Sequence, residues 1–397
     1  MKILSNDYLS NIPGAQKPSK GGPAVFANNF SSYACREGYY WNGIIIESSL
    51  TATRSLLSKI GNEGLKSFYK LTIPYKKIQS ITKAEAELKP RDIFEKEIKK
   101  LTSLIRELDI DLVFLNGFSI YAWILLVSAN KIGVPIAIQH AGVFSKEIDV
   151  YSDRFSLAGA KMLKEMEKES STLSDKDIFL NEWSRDYYIN NVYGKVKKSS
   201  VIIPLPFSMP QFNFRKKQVS DKIKLGSIAR WDRIKNHLAL LRLAKEIQRQ
   251  NLEWQISSVT KIPDTDANKE FKKIYREKIT VLPAKKRREI FDFIRSADMM
   301  LVPSLFDVSP NVVLESIYCG TPVLISETVG FSTLFKKKGA SDYVADFKNS
   351  KEIINKIKKL KDKPLPKRLV RYIKTNHNPE IVFKKYLKLF ERLSKLK

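Results

Sequence analysis

The sequence predicts an α/β protein made of two Rossmann-like domains facing a cleft, and three observations carry that expectation. At 397 residues the chain exceeds one ordinary core and suits two domains of roughly 200 residues each. Short apolar runs alternate with amphipathic stretches in both halves, the order expected of parallel sheets covered by helices. Between the halves, Val201–Gln218 holds Pro204, Pro206 and Pro210 and breaks the pattern, which marks a linker. The expected boundaries are 1–207, 208–378 and a terminal helix over 379–397.

In the first half, Met1–Asn6 reads as a strand, followed by a Pro/Gly/Ser loop to Gly22 and a helix near Ala24–Arg36. A strand at Gly43–Glu47 precedes a less regular stretch to about Pro90. Then come a charged helix (Ile93–Leu108), a strand (Asp111–Asn116), an apolar helix (Tyr121–Lys131) and a buried strand (Pro135–Gln139). Lys161–Glu169 reads as a surface helix and Asp177–Asn181 as a strand. In the second half, strands fit Lys224–Ile228, Trp254–Val259, Ile279–Leu282, Asp298–Val302 and Val323–Ile325. Helices fit Asn236–Gln248, Arg287–Ser296, Asn311–Cys319 and Lys351–Leu360. Ligands of such folds bind at the carboxyl ends of strands.

The last helix, Pro379–Lys397, lines up Val382, Phe383, Tyr386, Leu387, Phe390 and Leu393 on one face and Lys384, Lys388, Arg392 and Lys395 on the other. Two readings are open: the apolar face docks onto the protein, or it rests on an anionic membrane.

Composition excludes disordered and fibrous classes, with 43% apolar and 28% charged residues. Met1–Leu9 lacks the apolar core of a secretory signal, and the apolar run Ile120–Ala129 is too short to span a bilayer. Cys35 and Cys319 form no metal or disulfide pattern and read as small core hydrophobes, which fits a reducing cytoplasm. The formal charge of +28 is lopsided: residues 1–200 hold 28 Lys/Arg against 22 Asp/Glu, and residues 201–397 hold 42 against 20. Such a field draws in anions, whether nucleoside diphosphates, acidic headgroups or nucleic acid.

The chemistry concentrates in Leu301–Ser326, LVPSLFDVSPNVVLESIYCGTPVLIS. An apolar strand ends in a loop bearing Asp307, a helix opens at Pro310 with Ser309 as its expected cap, and Glu315 follows one turn on. Unpaired amides at Asn311 and Val312 make an anion-facing helix N-terminus. Glu315, an acceptor with two oxygens, can take two neighbouring hydroxyls of one small ring. A second cluster, Ala229 to His237 (ARWDRIKNH), follows a strand and holds Arg230 and Lys235. Gly21-Gly22 opens a helix after the first strand, where missing Cβ atoms let the backbone approach a ligand. No GxGxxG is present, so no dinucleotide cofactor is expected. Asp109/Asp111, Asp175/Asp177 and Asp264/Asp266 match DxD in letters but follow no completed apolar strand, and no His/Cys cluster suggests zinc. No metal is expected.

A carboxylate, seven residues and a Glu, between VPS and YCGTPV, resemble the signature of the family-4 retaining glycosyltransferases with the GT-B fold (glycosyl transferases group 1). Asp307 is one methylene shorter than the Glu usual there. The resemblance implies that Arg230 and Lys235 clamp a donor diphosphate, Asp307 orients the transferred sugar, and Glu315 holds the ribose. It further places Asn311, Val312, Gly21, Gly22 and the backbone near Pro283 at the donor. His140, in AIQHAG, resembles the family histidine facing the transferred sugar or the acceptor; a hydrogen-bonded core histidine is the other reading. Glu182, in FLNEWS, either meets the acceptor or caps its helix. The paired glycines usual before the donor sugar are reduced to Gly330, and PLPFS replaces the usual interdomain PNGVD.

The family further implies a terminal helix crossing back onto the first domain, a nucleotide-sugar substrate with no cofactor, and a glycan or lipid-linked hydroxyl acceptor. No specific nucleic-acid partner is expected, and an anionic membrane surface at the inner face is consistent with the charge. Two other readings stay open: a polyanion-binding protein using Lys285–Arg288 and Lys336–Lys338, and a catalytically degenerate scaffold.

Overall fold

In the computed structural model, residues 1–12, 22–193, 200–208, 222–264 and 268–395 are described. The chain divides into one unit of Met1–Pro206 with Pro379–Lys397 and another of Phe207–Asn378. Phe207 thus falls in the second unit rather than the first. Its amide donates to His377 O at 2.7 Å and its ring packs on Tyr318 at 4.8 Å.

The first unit holds β1 (Lys2–Asn6), β2 (Tyr40–Ser49), β3 (Leu56–Glu63), β4 (Lys66–Pro74), β5 (Leu112–Asn116), β6 (Ile136–His140), β7 (Lys176–Phe179) and β8 (Val201–Ile202). Their order across the sheet is β3-β4-β2-β1-β5-β6-β7-β8. Every pair is parallel except β3 with β4. The stretch expected to be irregular therefore holds a hairpin, turning at Gly64 (φ 54°), and then the helix Tyr75–Thr82. The hairpin's outer strand is largely exposed and carries little apolar alternation, which hid it from a hydrophobicity reading. The sheet reverses its winding direction between β1 and β5.

Helices cover both faces. On one side, the helix Ile120–Asn130 is buried over nearly its whole length because it lies between its sheet and flanking helices. On the other, Phe26, Phe30, Trp41 and Phe114 form an aromatic cluster completed by the terminal helix Pro379–Ser394. All six residues of that helix's apolar face are buried there. The membrane reading of this face is thereby corrected: the face is spent on the protein's own core. Among the described residues, no helix is long and apolar enough to cross a membrane.

The second unit holds β9 (Ile223–Ile228), β10 (Trp254–Val259), β11 (Thr280–Leu282), β12 (Met299–Val302), β13 (Val323–Ser326) and β14 (Val344–Ala345). All are parallel, in the order β11-β10-β9-β12-β13-β14. The chain winds outward from β9 in one direction and from β12 in the other, a doubly wound sheet with its reversal point between those two strands. The helix Asn311–Cys319 follows β12 and ends at Gly320, whose φ of 73° is easily met without a Cβ. Three helices of this unit escaped the sequence reading, Lys269–Lys278, Ser332–Lys337 and Lys367–Asn376. Each buries only two side chains, so the apolar stripe is thin.

The terminal helix is a load carried by aromatic contacts, with Phe390 set 5.1 Å from Phe114 and 5.8 Å from Phe30. Phe390→Ala is expected to cost the first unit about 3–5 kcal/mol. A urea unfolding curve should show one transition moved to lower denaturant while the second unit's transition stays in place.

Candidate functional site

The second unit brings Lys235 and Asp307 together at its winding reversal. The loop after β9 carries Arg230 and Lys235, and the loop after β12 carries Asp307. Backbone contacts tie the two loops: Leu305 N donates to Ile234 O at 2.8 Å, and Asn236 Nδ2 donates to Pro303 O at 3.0 Å. Asn236 sits in the left-handed region at φ 55°, which asparagine tolerates better than most side chains. Asp232 caps the turn by accepting from Ile234 N at 3.0 Å. Across this junction Lys235 Nζ donates to Asp307 Oδ2 in a charge-assisted bond, both side chains being less than one-fifth exposed.

A third loop closes on the same place. Asp307 pairs with Val329 in a parallel bridge, Gly330 N donates to Asp307 O at 2.8 Å, and Thr328 Oγ1 donates to Ser304 O at 2.8 Å. The ends of β9, β12 and β13 therefore meet at Asp307. Arg230 differs from Lys235: its side chain is 84% exposed and stands 3.9 Å from Asp232, leaving the guanidinium in solvent.

Beyond Asp307, the helix Asn311–Cys319 opens after Pro310 in extended backbone, and no side chain caps it. Ser309 is not the cap. The first-turn amides lack intrahelical acceptors, as at any helix start. Asn311 is exposed, Val312 is buried, and Glu315 is half-buried. Burial pushes the Glu315 carboxyl above its usual range, and the nearby Arg287 guanidinium opposes that shift. Pro283 is exposed just past the end of β11.

His237, the last residue of the ARWDRIKNH stretch, has a positioning part in the structure. It is buried, stacks on Trp231 at 4.5 Å, and its Nε2 lies 2.8 Å from Arg230 O, with Nδ1 3.2 Å from Tyr275 Oη. Burial lowers its pKa, which favours the neutral ring. The signal was its place directly after the Arg230–Lys235 loop, beside an aromatic.

The first unit carries a cavity of about 520 Å³ at the carboxyl ends of β1, β2, β5 and β6, bordered by Asn6, Glu47, Asn116, Phe118, Gly142 and Glu147. Asn116 anchors its floor: its backbone N–H donates to Asn6 Oδ1 at 2.7 Å, and its Nδ2 donates to Pro23 O at 2.8 Å. Gln139 Nε2 donates to Asn116 Oδ1 at 3.0 Å, and the fully buried Tyr386 hydroxyl of the terminal helix donates to Gln139 Oε1. Gly22 begins the helix Gly22–Arg36 next to Pro23, which lines the cavity; Gly21 lies outside the described residues.

His140 is placed differently from the expectation that it faces a sugar. It is fully buried, with Nε2 2.9 Å from Asp177 Oδ1 and its ring stacked on Phe179 at 4.8 Å. The last side chain of β6 points inward, while Ala141 and Gly142 reach the cavity. Its core reading is the one the geometry meets. Glu182 begins the helix Glu182–Tyr188, but the cap is Asn181, whose side chain accepts from Ser184 N at 2.8 Å. Asp111 and Asp175 accept from the backbone of Lys2 and Ile136, and Asp266 lies outside the described residues. Among the described residues, no group of three or more His, Cys, Asp or Glu is placed to hold a metal ion.

Comparison with known proteins bears on the fold and on the second unit. Residues 209–376 match the family model of "Glycosyl transferases group 1". A stretch of 110 residues is 26% identical to the "Putative glycosyltransferase EpsF" of Bacillus subtilis (strain 168), covering 28% of this chain and 29% of that protein. Over its whole length the chain is similar in fold to a sucrose-phosphate synthase from Thermosynechococcus elongatus, with a TM-score of 0.70 at 14% identity and all of both chains covered. It is similar to a trehalose-6-phosphate protein from E. coli bound with UDP-2-fluoro glucose, with a TM-score of 0.66 at 13% identity over 98% of each chain. An alpha,alpha-trehalose-phosphate synthase (UDP-forming) from Burkholderia xenovorans, in complex with glucose-6-phosphate, gives 0.64 at 13% over 98% of this chain and 99% of that one. The match to the glycosyl transferases group 1 is confined to the second unit, while the chain as a whole is similar to these synthases in its GT-B fold of two Rossmann-like units.

Proposed function

We propose that the chain moves a sugar from a nucleoside-diphosphate donor to a hydroxyl acceptor, with retention at the anomeric carbon and without a metal ion. The observation that supports this most is the Lys235–Asp307 pair at the winding reversal of the second unit, where doubly wound sheets take their ligands. A similar fold holds a UDP-sugar analogue.

In this reading Lys235 and Arg230 take the charge that develops on the diphosphate as the sugar–phosphate bond breaks. The exposed guanidinium of Arg230 swings onto the phosphates when they arrive. Asp307 exchanges part of its bond to Lys235 for a sugar hydroxyl. The amides of Asn311 and Val312 face phosphate, and Glu315 accepts from the ribose hydroxyls. The nucleoside diphosphate leaves from the face on which the acceptor enters, and its departing phosphate oxygen takes the acceptor's proton, so no protein nucleophile is assigned. The acceptor lies in the first unit and is a glycan or a lipid-linked sugar. The excess of basic residues suits an anionic membrane surface as the place of work.

Lys235→Ala and Arg230→Ala are each expected to lower kcat/KM for a nucleotide sugar by roughly 30- to 1000-fold, the equivalent of about 2–4 kcal/mol of transition-state stabilisation. Near-normal turnover in both variants removes them from the reaction.

Glu315 gives a test with opposite signs. Burial raises its pKa on folding, so the native chain holds that proton to higher pH than the unfolded chain does. Its ionised form thus costs stability near neutral pH, a cost that fades as pH falls through the raised value. Glu315→Gln should therefore hold or raise the melting temperature near neutral pH. The same change should weaken nucleoside-diphosphate binding about ten- to a hundred-fold, the loss of a hydrogen bond to a charged acceptor. Calorimetry on both proteins from neutral to mildly acid pH separates the two effects, since only the wild type should lose affinity on acidification through this group.

A further inference from the structure

We infer that the fully buried Glu167 is a positioning residue for the acceptor: its carboxylate holds the loop that forms one wall of the first unit's cavity. This rests on the reading of the chain as a glycosyltransferase whose first unit holds the acceptor, and it adds the group that sets the shape of that site.

β6 ends at His140, and residues 141–147 leave the sheet at the edge where the cavity opens. Ala141, Gly142, Phe144 and Glu147 line the cavity, and the Phe144 ring packs on Phe118, another lining residue, at 5.3 Å. Past the end of a strand ladder, backbone groups need partners from elsewhere. Glu167, on the helix Leu157–Leu173, supplies them. Its carboxylate accepts from Phe144 N at 2.8 Å, Ser145 N at 2.6 Å, Ser145 Oγ, and the Tyr188 hydroxyl at 2.7 Å. Tyr188, on the helix Glu182–Tyr188, is also fully buried, and its hydroxyl stands 2.8 Å from Gly142 O. The single phenolic hydrogen therefore bridges carboxylate and loop backbone. Burial, and then the charge of Glu167, push that hydroxyl well above its ordinary pKa, so the hydrogen stays in place. Two helices thus grip the loop at Gly142, Phe144 and Ser145.

The sequence around Glu167 shows why the charge is needed. Lys161, Glu165 and Lys168 are exposed, whereas Leu163, Glu167 and Ser170 share the buried face of the helix at i, i+4 and i+7. A carboxylate on such a face is costly unless its oxygens are satisfied. Here each oxygen takes one backbone N–H of the loop, Phe144 on Oε1 and Ser145 on Oε2. A glutamine keeps the shape, yet in either orientation its NH2 meets a backbone N–H that can only donate. One anchor of the loop is then lost and a donor is left bare, which is costlier than the bond itself is stabilising. The wall that moves carries the lining residues, so the change is felt in the site more than in the fold. Groups that touch a ligand keep their geometry only while such supporting bonds hold them.

Saturation-transfer NMR on the full chain, with UDP or GDP present, tests this with methyl glucoside, methyl mannoside, methyl galactoside and methyl N-acetylglucosaminide. Glu167→Gln is expected to weaken the best-bound glycoside about ten-fold or more and Tyr188→Phe about three-fold, with nucleotide affinity held within about two-fold. Glu97→Gln is the control for stability alone. That carboxylate is equally buried in the first unit but bonds Lys77 at 2.8 Å and Ser55 instead of the loop. Its loss should lower the melting temperature and leave glycoside binding unchanged. Hydrogen exchange in a peptide covering residues 141–147 should quicken in Glu167→Gln and Tyr188→Phe but not in Glu97→Gln. Unchanged glycoside binding in both loop variants, an equal loss in Glu97→Gln, or no glycoside binding by the wild type overturns the inference. Should Glu167→Gln fail to fold, Tyr188→Phe decides alone. If UDP and GDP both fail to stabilise the wild-type chain, the glycosyltransferase reading itself falls; if either stabilises it, that reading stands apart from the fate of the loop.

Discussion

The ion pair between Lys235 and Asp307 is the constraint on which the second unit's site depends. Each side chain is mostly out of solvent, and removing one leaves the other's charge uncompensated, which is far costlier than the pair is stabilising. The pair therefore holds two loops in one arrangement. Backbone bonds from Leu305 to Ile234 and from Gly330 to Asp307 repeat the same connection in neutral groups. The result is a junction of three strand ends whose polar groups are oriented before any ligand arrives, the condition under which fixed charges are most effective.

The first unit applies a comparable device at its own winding reversal, with amides in place of charges. Tyr386 reaches from the terminal helix to Gln139, Gln139 to Asn116, and Asn116 to Asn6 and Pro23. This chain of buried groups links the last helix of the sequence to the floor of the cavity. Each member satisfies the next, so the cost of burying an amide or a phenol is met within the row. The terminal helix thus does two things at once: it buries an aromatic face and supports the polar floor of the cavity at the strand ends.

Charge is distributed differently around the Lys235–Asp307 junction and the cavity of the first unit. The second unit presents cations, with Arg230 open to solvent and Lys235 held in reserve by Asp307. Among the described residues, the cavity of the first unit is lined by carboxylates and aromatic rings instead. Net charge alone hides this contrast, because a sum over the chain says nothing about which sign faces which ligand.

Sequence by itself determined the class of fold, the strands β9, β10, β12 and β13, and the grouping of Arg230, Lys235, Asp307 and Glu315 on one half. Those are local matters: apolar runs of strand length, turn residues, and charged side chains placed directly after strands. It also marked the apolar face of the terminal helix, but not what covers it. Only the tertiary structure decided that, because the same six residues suit a lipid surface or a protein core equally well. It likewise turned His140 inward against Asp177 and Phe179, made Asn181 rather than Glu182 the cap, and revealed His237 as the support of the Arg230 loop. Which way the last side chain of a strand points, and which of two neighbours meets a bare amide, depends on elements far away in the chain. Spacing along the sequence carries no record of those partners; packing supplies it.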